Sequence, residues 1–276
     1  MGFGAMRLTG EGIWGEPADR PEAVRVVRRA VELGVNFIDT ADSYGPHVSE
    51  EIIAEGLHPY PPGLVIATKG GYDRPGPNQW VESGRPEHLK SACEGSLRRL
   101  RLDRIDLYQL HRIDPRFPLE DQLGTLKRLQ AQGKIRHIGL SKVSVRQVRQ
   151  AQAIVPIVSV QNLYSFSERG SDDVLEFCEQ AGSGFIPWFP LEAGRLSGVA
   201  SPVSRVAAQL KVTPSQVALA WLLARSPVML PIPGTSKVKH VEENVAAAAL
   251  NLDDKTMQEL INPGGSVHRR AGRAAN

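Results

Sequence analysis

The chain has 276 residues, of which 41% are hydrophobic and 23% are charged, and its net charge is +3. A chain of this length and composition can bury a sizeable core, which excludes an intrinsically disordered protein. Basic residues are interspersed with acidic ones along the chain, so the charge pattern predicts no nucleic-acid partner.

Eight short runs of apolar and β-branched residues predict β-strands. Their nearly continuous apolar character is typical of parallel strands that are covered on both faces. The predicted strands span residues 2–6, 35–39, 64–69, 105–111, 135–141, 157–162, 185–189 and 228–232.

Longer segments with helical periodicity separate the predicted strands. Asp19 is a suitable N-cap for the first helix, Gly34 ends it, and Ser49 is predicted to cap the second helix, which ends near Gly56. Further helices are predicted at 86–101, 119–132, 144–153, 172–181, 214–225 and 238–249, with two additional ones at 202–210 and 253–261.

Eight strand–helix units in one chain predict an α/β fold, a (β/α)8 TIM barrel with two additional helices. No linker or change of composition divides the chain, so residues 1–276 are predicted to form a single barrel domain with a loose tail at 263–276.

Cysteine content and apolar stretches bear on the compartment. The two cysteines, Cys93 and Cys178, are too few for a disulfide framework and do not have metal-ligand spacing, which favours free thiols in a reducing cytosol. No stretch of about 18 apolar residues occurs, and residues 1–10 lack the pattern of a secretory signal. We therefore expect a cytoplasmic protein with no membrane contact and no bound metal.

Four polar side chains follow or end three successive predicted strands. Asp39 ends the second strand and Tyr44 lies just beyond it, Lys69 ends the third, and His111 ends the fourth. Active sites of such barrels lie at the carboxyl ends of the strands, so these four side chains are expected to meet there. Each could be a cap, surface group or core residue by itself, but together they favour a proton-donating site.

The chemistry of this set depends on the phenol. A phenol with a pKa near ~10 is a poor acid–base catalyst at neutral pH, and a nearby ammonium group lowers that pKa. Lys69 is therefore expected to lower the pKa of Tyr44, and Asp39 to keep Lys69 charged. The imidazole of His111 can donate a hydrogen bond to a carbonyl oxygen.

Seven segments of the chain carry a resemblance to a known family. They are DTADSYG (39–45), VIATKGG (65–71), IDLYQLH (105–111), IRHIGLS (135–141), VQNLY (160–164), WFPLEAGRLSG (188–198) and LPIPGTSKVKHVEEN (230–244). With these motifs in this order, almost the whole chain resembles the aldo-keto reductase superfamily, and within it the short-tailed bacterial reductases.

The resemblance implies reduction of an aldehyde or ketone with NADPH and without a metal. It implies that Tyr44 is the proton donor, that Lys69 lowers its pKa, that Asp39 holds Lys69, and that His111 orients the substrate carbonyl. The cofactor supplies the hydride, and the protein supplies its position and the electrostatic environment.

The resemblance also implies a set of residues that bind the cofactor. Ser141 and Gln161 are expected to hold the nicotinamide carboxamide, and Trp188 to stack on the nicotinamide ring. Ala5 and Met6, at the end of the first predicted strand, are expected to bind the cofactor as well. The remaining positions are Phe189, Pro190, Leu191, Gly194 and Leu196 along the pyrophosphate, and Ile232, Gly234, Thr235, Ser236, Lys237, His240, Glu243 and Asn244 around the adenosine end.

His240 departs from the pattern, because many relatives have an arginine there that pairs with the 2′-phosphate of NADPH. A neutral imidazole cannot replace a bidentate guanidinium group, so the positive charge at this end depends on Lys237 and Lys239. We expect NADPH as the cofactor, with NADH also possible.

Loops above the barrel determine substrate specificity. Trp14 and Trp80 lie in the loops after the first and third strands, where each could line the substrate pocket or only support its own loop. We expect both to line the pocket of a monomer that acts on a small-molecule carbonyl substrate. The alternative is a catalytically weak protein of the same fold that binds NADPH as a redox sensor or scaffold subunit.

Overall fold

The computed structural model describes residues 1–192 and 201–261. Nine strands occur in these ranges, and seven of them pair in parallel in one sheet in their order along the chain. The strands are β1 (Phe3–Gly4), β2 (Phe37–Asp39), β3 (Val65–Gly70), β4 (Tyr72–Asp73), β5 (Val81–Glu82), β6 (Ile105–Leu110), β7 (Ile135–Ser141), β8 (Ser159–Leu163) and β9 (Gly184–Trp188). Strands β4 and β5 form a separate antiparallel pair after β3.

Ten α-helices alternate with or follow the parallel strands in the described ranges. They are α1 (Arg20–Glu32), α2 (Val48–Leu57), α3 (Pro86–Leu100), α4 (Leu119–Ala131), α5 (Val145–Gln152), α6 (Asp172–Ala181), α7 (Pro202–Leu210), α8 (Pro214–Arg225), α9 (Val238–Ala246) and α10 (Asp254–Ile261). The alternation of parallel strands and helices confirms the predicted (β/α)8 barrel, and α7 and α10 are the two additional helices.

Residues 228–232 do not form the regular eighth strand that the sequence predicts. They occupy its place in extended form next to β9, where the Phe185 backbone N–H donates to the Val228 oxygen at 2.9 Å and the Leu230 N–H donates to the Phe185 oxygen at 2.8 Å. This pairing reduces to one isolated bridge between Phe185 and Met229.

Two prolines explain why the strand is incomplete on its other side. The Pro231 and Pro233 oxygens accept hydrogen bonds from the Gly2 and Gly4 N–H groups, at 2.9 and 3.2 Å, and these contacts close the barrel against β1. Proline has no N–H, so neither residue can return a hydrogen bond and only half of the ladder forms.

Both ends of α1 follow the predicted capping chemistry, and two further helices begin with capping boxes. The Asp19 carboxylate accepts from the Glu22 N–H at the start of α1, and Gly34 takes a φ of 91° just after its end. Ser144 and Thr213 form capping boxes with the glutamines three residues later. These caps satisfy backbone N–H groups that the helix itself leaves unpaired.

Ser49 does not cap α2, contrary to the prediction. The helix begins at Val48 after His47, and the Ser49 hydroxyl lies within its first turn. That hydroxyl donates to the Ala5 oxygen at 3.1 Å and is 2.8 Å from the Thr40 hydroxyl. A buried tertiary contact with the loops after β1 and β2 therefore replaces the local cap.

Apolar side chains fill the centre of the barrel. They form a cluster that consists of Phe37, Ala67, Leu107, Ile186 and Ile232. One residue comes from each of β2, β3, β6 and β9 and one from the segment that closes the barrel. The lower part of the barrel is thus a packed core and not a channel, and it supports the side chains at the carboxyl ends of the strands above it.

Both cysteines are buried free thiols, as predicted. Burial raises the pKa of the Cys93 thiol to about 12 and that of Cys178 to about 11, which makes both unreactive at neutral pH. None of the helices within residues 1–192 and 201–261 has the length and apolar character needed to cross a membrane.

Candidate active site

The side chains of a strand alternate between its two faces, which places a polar layer directly above the apolar centre of the barrel. Residues two positions further along β2, β3, β6 and β9 project into the same interior. These are Asp39, Lys69, Gln109 and Trp188, above Phe37, Ala67, Leu107 and Ile186 respectively. The period of two therefore brings two charges and an amide together at the carboxyl end of the barrel.

Asp39 and Lys69 form a buried ion pair in this layer. The Lys69 Nζ lies 2.6 Å from Asp39 Oδ1 and also donates to the Thr40 oxygen at 2.7 Å. Burial favours loss of the lysine charge, but Asp39 and Tyr44 outweigh this effect and raise the pKa of Lys69. The lysine therefore stays positively charged at neutral pH, as predicted.

Two amide side chains complete the coordination of the Asp39 carboxylate. Gln109 and Gln161 donate from Nε2 to Asp39 Oδ2 at 3.1 and 2.8 Å. With Lys69 on the other oxygen, both oxygens of a carboxylate that is 2% exposed are hydrogen-bonded. A buried charge is tolerated when it is paired and hydrogen-bonded in this way.

Tyr44 lies above the ion pair in the loop between β2 and α2 and is buried. The Lys69 Nζ is 5.2 Å from the centre of its ring. Burial raises the pKa of Tyr44 by more than the Lys69 charge lowers it. The effect of Lys69 thus has the predicted sign, but the net shift is upward. Tyr44 therefore carries its proton at neutral pH.

His111 follows β6 and faces Tyr44, with their ring centres 5.9 Å apart and nearly perpendicular. Burial, followed by the charges of Lys69, Arg112 and Arg74, lowers the pKa of His111 well below its usual value. The imidazole is consequently neutral at neutral pH, and its Nδ1 lies 3.4 Å from the Ser43 hydroxyl. A neutral imidazole can still donate one N–H to an oxygen in the site.

A cavity of about 500 Å³ opens above these residues. Besides the polar layer it is lined by aromatic, apolar and basic side chains. The lining residues are Gly4, Met6, Arg7, Asp39, Tyr44, Tyr72, Trp80, His111, Arg112, Ser141, Gln161, Trp188, Phe189, Pro190, Leu191, Ile232, Pro233 and Gly234. This volume is typical of a site for a small molecule or a cofactor.

Many of the predicted cofactor residues meet at this cavity. They are Met6, Ser141, Gln161, Trp188, Phe189, Pro190, Leu191, Ile232 and Gly234. Ala5 is buried in the short 3₁₀ helix after β1 and is not among the described lining residues. Gly194 and Leu196 lie outside the described residues.

The remaining predicted cofactor positions lie beyond Gly234, in the segment before α9 and within α9 itself. The Thr235 hydroxyl accepts from the Lys237 N–H at 3.1 Å and lies 3.2 Å from His240 Nδ1. The others in this group are Ser236, which is exposed, Glu243, which is partly exposed, and Asn244, which is buried. We call residues 235–244 the adenosine end, after the role that the family resemblance implies.

The two predicted substrate residues have different positions. Trp80 lines the cavity, whereas Trp14 is not among the lining residues. Between them lies the Arg74 guanidinium group, 3.7 Å from the Trp80 ring centre and 5.6 Å from that of Trp14. Arg74 also donates to the backbone oxygens of Ser43, after β2, and Ile13, after β1. It therefore connects the loops after β1, β2 and β3.

Sequence reasoning missed several residues of the site. Gln109 has the same inward face as His111, two positions away, so the period of two could have identified it. Arg112 and Tyr72 follow the ends of β6 and β3, where a barrel places its functional loops. Arg7 carried no signal of its own, because only the tertiary structure brings it beside Gly234.

The residues around the inner part of the cavity fit a nicotinamide ring. Trp188 offers an aromatic face, and the Ser141 hydroxyl and Gln161 amide lie at neighbouring strand positions, since these two residues pair in the β7–β8 register. A carboxamide needs both donors and acceptors, which hydroxyl and amide groups provide.

Comparisons with known proteins agree with this geometry. A model of the Aldo/keto reductase family matches residues 1–262. An oxidoreductase of Schizosaccharomyces pombe, C215.11c, is 51% identical over 96% of this chain and 87% of its own length. Pyridoxine 4-dehydrogenase of Escherichia coli is 44% identical over 94% of this chain and 93% of its own. An aldo/keto reductase structure from Klebsiella pneumoniae, in complex with NADP and acetate, has a TM-score of 0.80 at 29% identity and covers 95% of this chain and 90% of its own.

Proposed function

Because the chain belongs to the aldo/keto reductase family and is an oxidoreductase, we propose that it reduces aldehydes or ketones to alcohols with NADPH, and that Tyr44 donates the proton. The observation that carries this proposal is the buried Asp39–Lys69 pair directly beneath a protonated tyrosine. The cofactor supplies a hydride to the carbonyl carbon when it is bound.

Tyr44 provides the proton that the carbonyl oxygen needs as it becomes an alkoxide. Its raised pKa keeps the phenol protonated before the reaction. After the proton has left, the Lys69 charge stabilises the phenolate, and Asp39 keeps that charge in place. The Asp39–Lys69 pair thus stabilises the negative charge that develops on Tyr44 during the reaction. Stabilisation of charge that appears only in the transition state lowers the activation barrier.

His111 orients the substrate in this proposal. Its ring lies beside Tyr44 and is neutral, so one N–H can donate to the carbonyl oxygen without competing as an acid. Hydrogen bonds from Tyr44 and His111 to one carbonyl oxygen would fix the orientation of the carbonyl group, and with it the face of the carbonyl carbon that the hydride reaches.

The cofactor assignment rests on the fit of the cavity and on the relatives. Ser141, Gln161 and Trp188 would hold the nicotinamide, and the adenosine end would hold the rest of the molecule. A family member from Klebsiella pneumoniae was solved with NADP. Lys237 and Lys239 are exposed cations near His240 and favour the 2′-phosphate of NADPH, while NADH remains a second cofactor to test.

A relative suggests one substrate to include. Since the enzyme from Escherichia coli is named for oxidation of pyridoxine at position 4, the aldehyde that this oxidation would form, pyridoxal, belongs in the first panel of carbonyl compounds.

The decisive test compares the parent chain with Tyr44→Phe in an assay of NADPH consumption with several aldehydes. We expect turnover in the parent and a loss of about 10³-fold or more in the variant, because general acid catalysis contributes about 10²–10⁴-fold. Tyr60→Phe is the matched control, since the Tyr60 hydroxyl donates to the Leu100 oxygen, away from the cavity. A parent that binds NADPH but turns over no aldehyde would contradict the reductase and favour the sensor.

A further inference from the structure

Arg112 places a positive charge in the wall of the cavity, one residue after His111. Its Nη1 donates to the His111 oxygen at 2.6 Å and to the Ser141 hydroxyl at 3.1 Å. These bonds hold the guanidinium group between the proposed carbonyl-orienting histidine and the proposed nicotinamide contact. The charge is thus at the reacting end of the cavity and not at the adenosine end.

This charge has no counter-ion in the part of the chain that the structure describes. None of the salt bridges found within residues 1–192 and 201–261 includes Arg112. Its Nε is buried and has no acceptor there, and Tyr72 lies beside it as a neutral partner, with the ring centre 5.4 Å from the guanidinium carbon. An arginine that is partly removed from water and unpaired is a ready partner for an anion.

The one carboxylate among the described lining residues does not compensate Arg112. Asp39 is that carboxylate, and its two oxygens are occupied by Lys69 and by the amides of Gln109 and Gln161. The cavity therefore presents an excess of positive charge next to His111. An anionic group on the substrate would meet this charge without displacing any protein carboxylate.

The aromatic residues in the same wall of the cavity indicate the shape of the rest of the ligand. Tyr72 lies 4.7 Å from His111 and 5.2 Å from Trp80 between ring centres, both in edge-to-face arrangement. The Tyr72 ring contacts His111 on one side and Arg112 on another. A flat ring that bears both a carbonyl and an anionic substituent matches this combination of aromatic walls and one cation.

We propose that Arg112 recognises an anionic substituent of the substrate, so that the enzyme prefers aromatic aldehydes that carry a carboxylate or an equivalent ionised oxygen. This inference rests on the proposed reductase function and specifies the substrate class of the same site. Arg112 acts as a specificity-determining residue. The two bonds of Nη1 to the His111 oxygen and the Ser141 hydroxyl fix the guanidinium group, and its charge can attract a carboxylate through a charge-assisted hydrogen bond from Nη2.

The test uses a matched pair of substrates, 4-formylbenzoate and its neutral methyl ester. The measured quantity is the ratio of kcat/KM for the acid to that for the ester, within each protein. We expect a ratio of about ten or more in the parent and a fall of at least tenfold in Arg112→Met, because an arginine–carboxylate contact in such a site contributes at least this much. Arg112→Lys should recover part of the ratio through its charge alone.

Arg7→Met is the control variant, since Arg7 is the other unpaired cation among the described lining residues, next to Gly234. We expect it to leave the ratio unchanged. Equal falls in both variants would overturn direct recognition and point to the total charge of the cavity. A parent ratio near one, or an unchanged ratio in Arg112→Met, would also overturn the proposal while the reductase function stands.

A binding measurement separates failure of this proposal from failure of the proposed function. Calorimetric titration with 4-formylbenzoate, in the presence of NADP, does not require turnover. If the parent turns over no aldehyde, weaker binding by at least tenfold in Arg112→Met would still support the anion site, and absence of binding to the parent would overturn it. A separate titration with NADPH identifies the contrary case, in which Arg112 binds only the cofactor and its loss weakens NADPH without changing the ratio.

Discussion

The polar layer above the apolar centre of the barrel and the adenosine end have opposite construction. In the polar layer, Asp39 and Lys69 are buried, and each of their hydrogen bonds is to another buried group. At the adenosine end, Lys239 is 82% exposed and lies 3.8 Å from Glu243. The proposed chemistry therefore depends on buried charges whose loss would also destabilise the fold. Cofactor preference depends on exposed side chains that contribute little to stability.

Removal of one partner of the buried pair is the strongest test of this comparison. Lys69→Met leaves the Asp39 carboxylate buried without its cation, and we expect the free energy of unfolding to fall by about 3–5 kcal/mol. Urea unfolding measures the change. The double variant Asp39→Asn/Lys69→Met should recover part of the loss, because no unpaired charge remains.

The matched change at the adenosine end is Lys239→Met. An exposed charge contributes little to folding, so we expect the free energy of unfolding to stay within about 0.5 kcal/mol of the parent. Similar losses in Lys69→Met and Lys239→Met would contradict the proposed difference between the two regions.

The depressed pKa of His111 predicts a loss of stability in acid. In the unfolded chain this histidine takes up a proton below pH ~6.5, whereas in the folded chain it stays neutral to a lower pH, so folding becomes less favourable as the pH falls. Between pH 7.5 and 5.5 the parent should lose about 1.4 kcal/mol more than His111→Gln does. Equal losses in the two proteins, by urea unfolding at both pH values, would show that His111 protonates normally.

Trp80 tests whether a loop residue in the cavity wall controls specificity. We expect Trp80→Ala to change relative kcat/KM values across a panel of carbonyl compounds by about tenfold, since the variant removes a large apolar surface from the wall. Trp14→Ala, which affects only the far side of Arg74, should change the pattern less. Unchanged relative efficiencies in Trp80→Ala would remove this residue from the substrate site.

The smallest expected effect belongs to the adenosine end. His240→Arg supplies the guanidinium group that the family resemblance leads us to expect for the 2′-phosphate, and one exposed ion pair corresponds to roughly fivefold tighter NADPH binding. The Kd for NADH should not change. Fluorescence titration with both cofactors measures this, and equal tightening of the two would show that the new arginine does not act through the 2′-phosphate.

The sequence by itself determined the elements whose signals are local. The periodicity and the flanking residues predicted α6, α7 and α8 with the bounds that the structure shows. The strand ends that carry Asp39, Lys69 and His111 could be read in the same way. Such signals lie within a few residues of one another, because caps, glycine stops and alternating faces act over one turn or one strand.

The tertiary structure alone decided which distant groups meet. Gln161 donates to Asp39 across 122 positions of sequence, Ser49 bonds to Ala5 instead of its own helix, and Arg74 lies between Trp14 and Trp80. The net direction of the pKa of Tyr44 also depends on burial that no local pattern reports. The hydrogen bonds and the desolvation of a group depend on its neighbours in space. Many of these neighbours are far apart in the sequence and meet only when the barrel has closed.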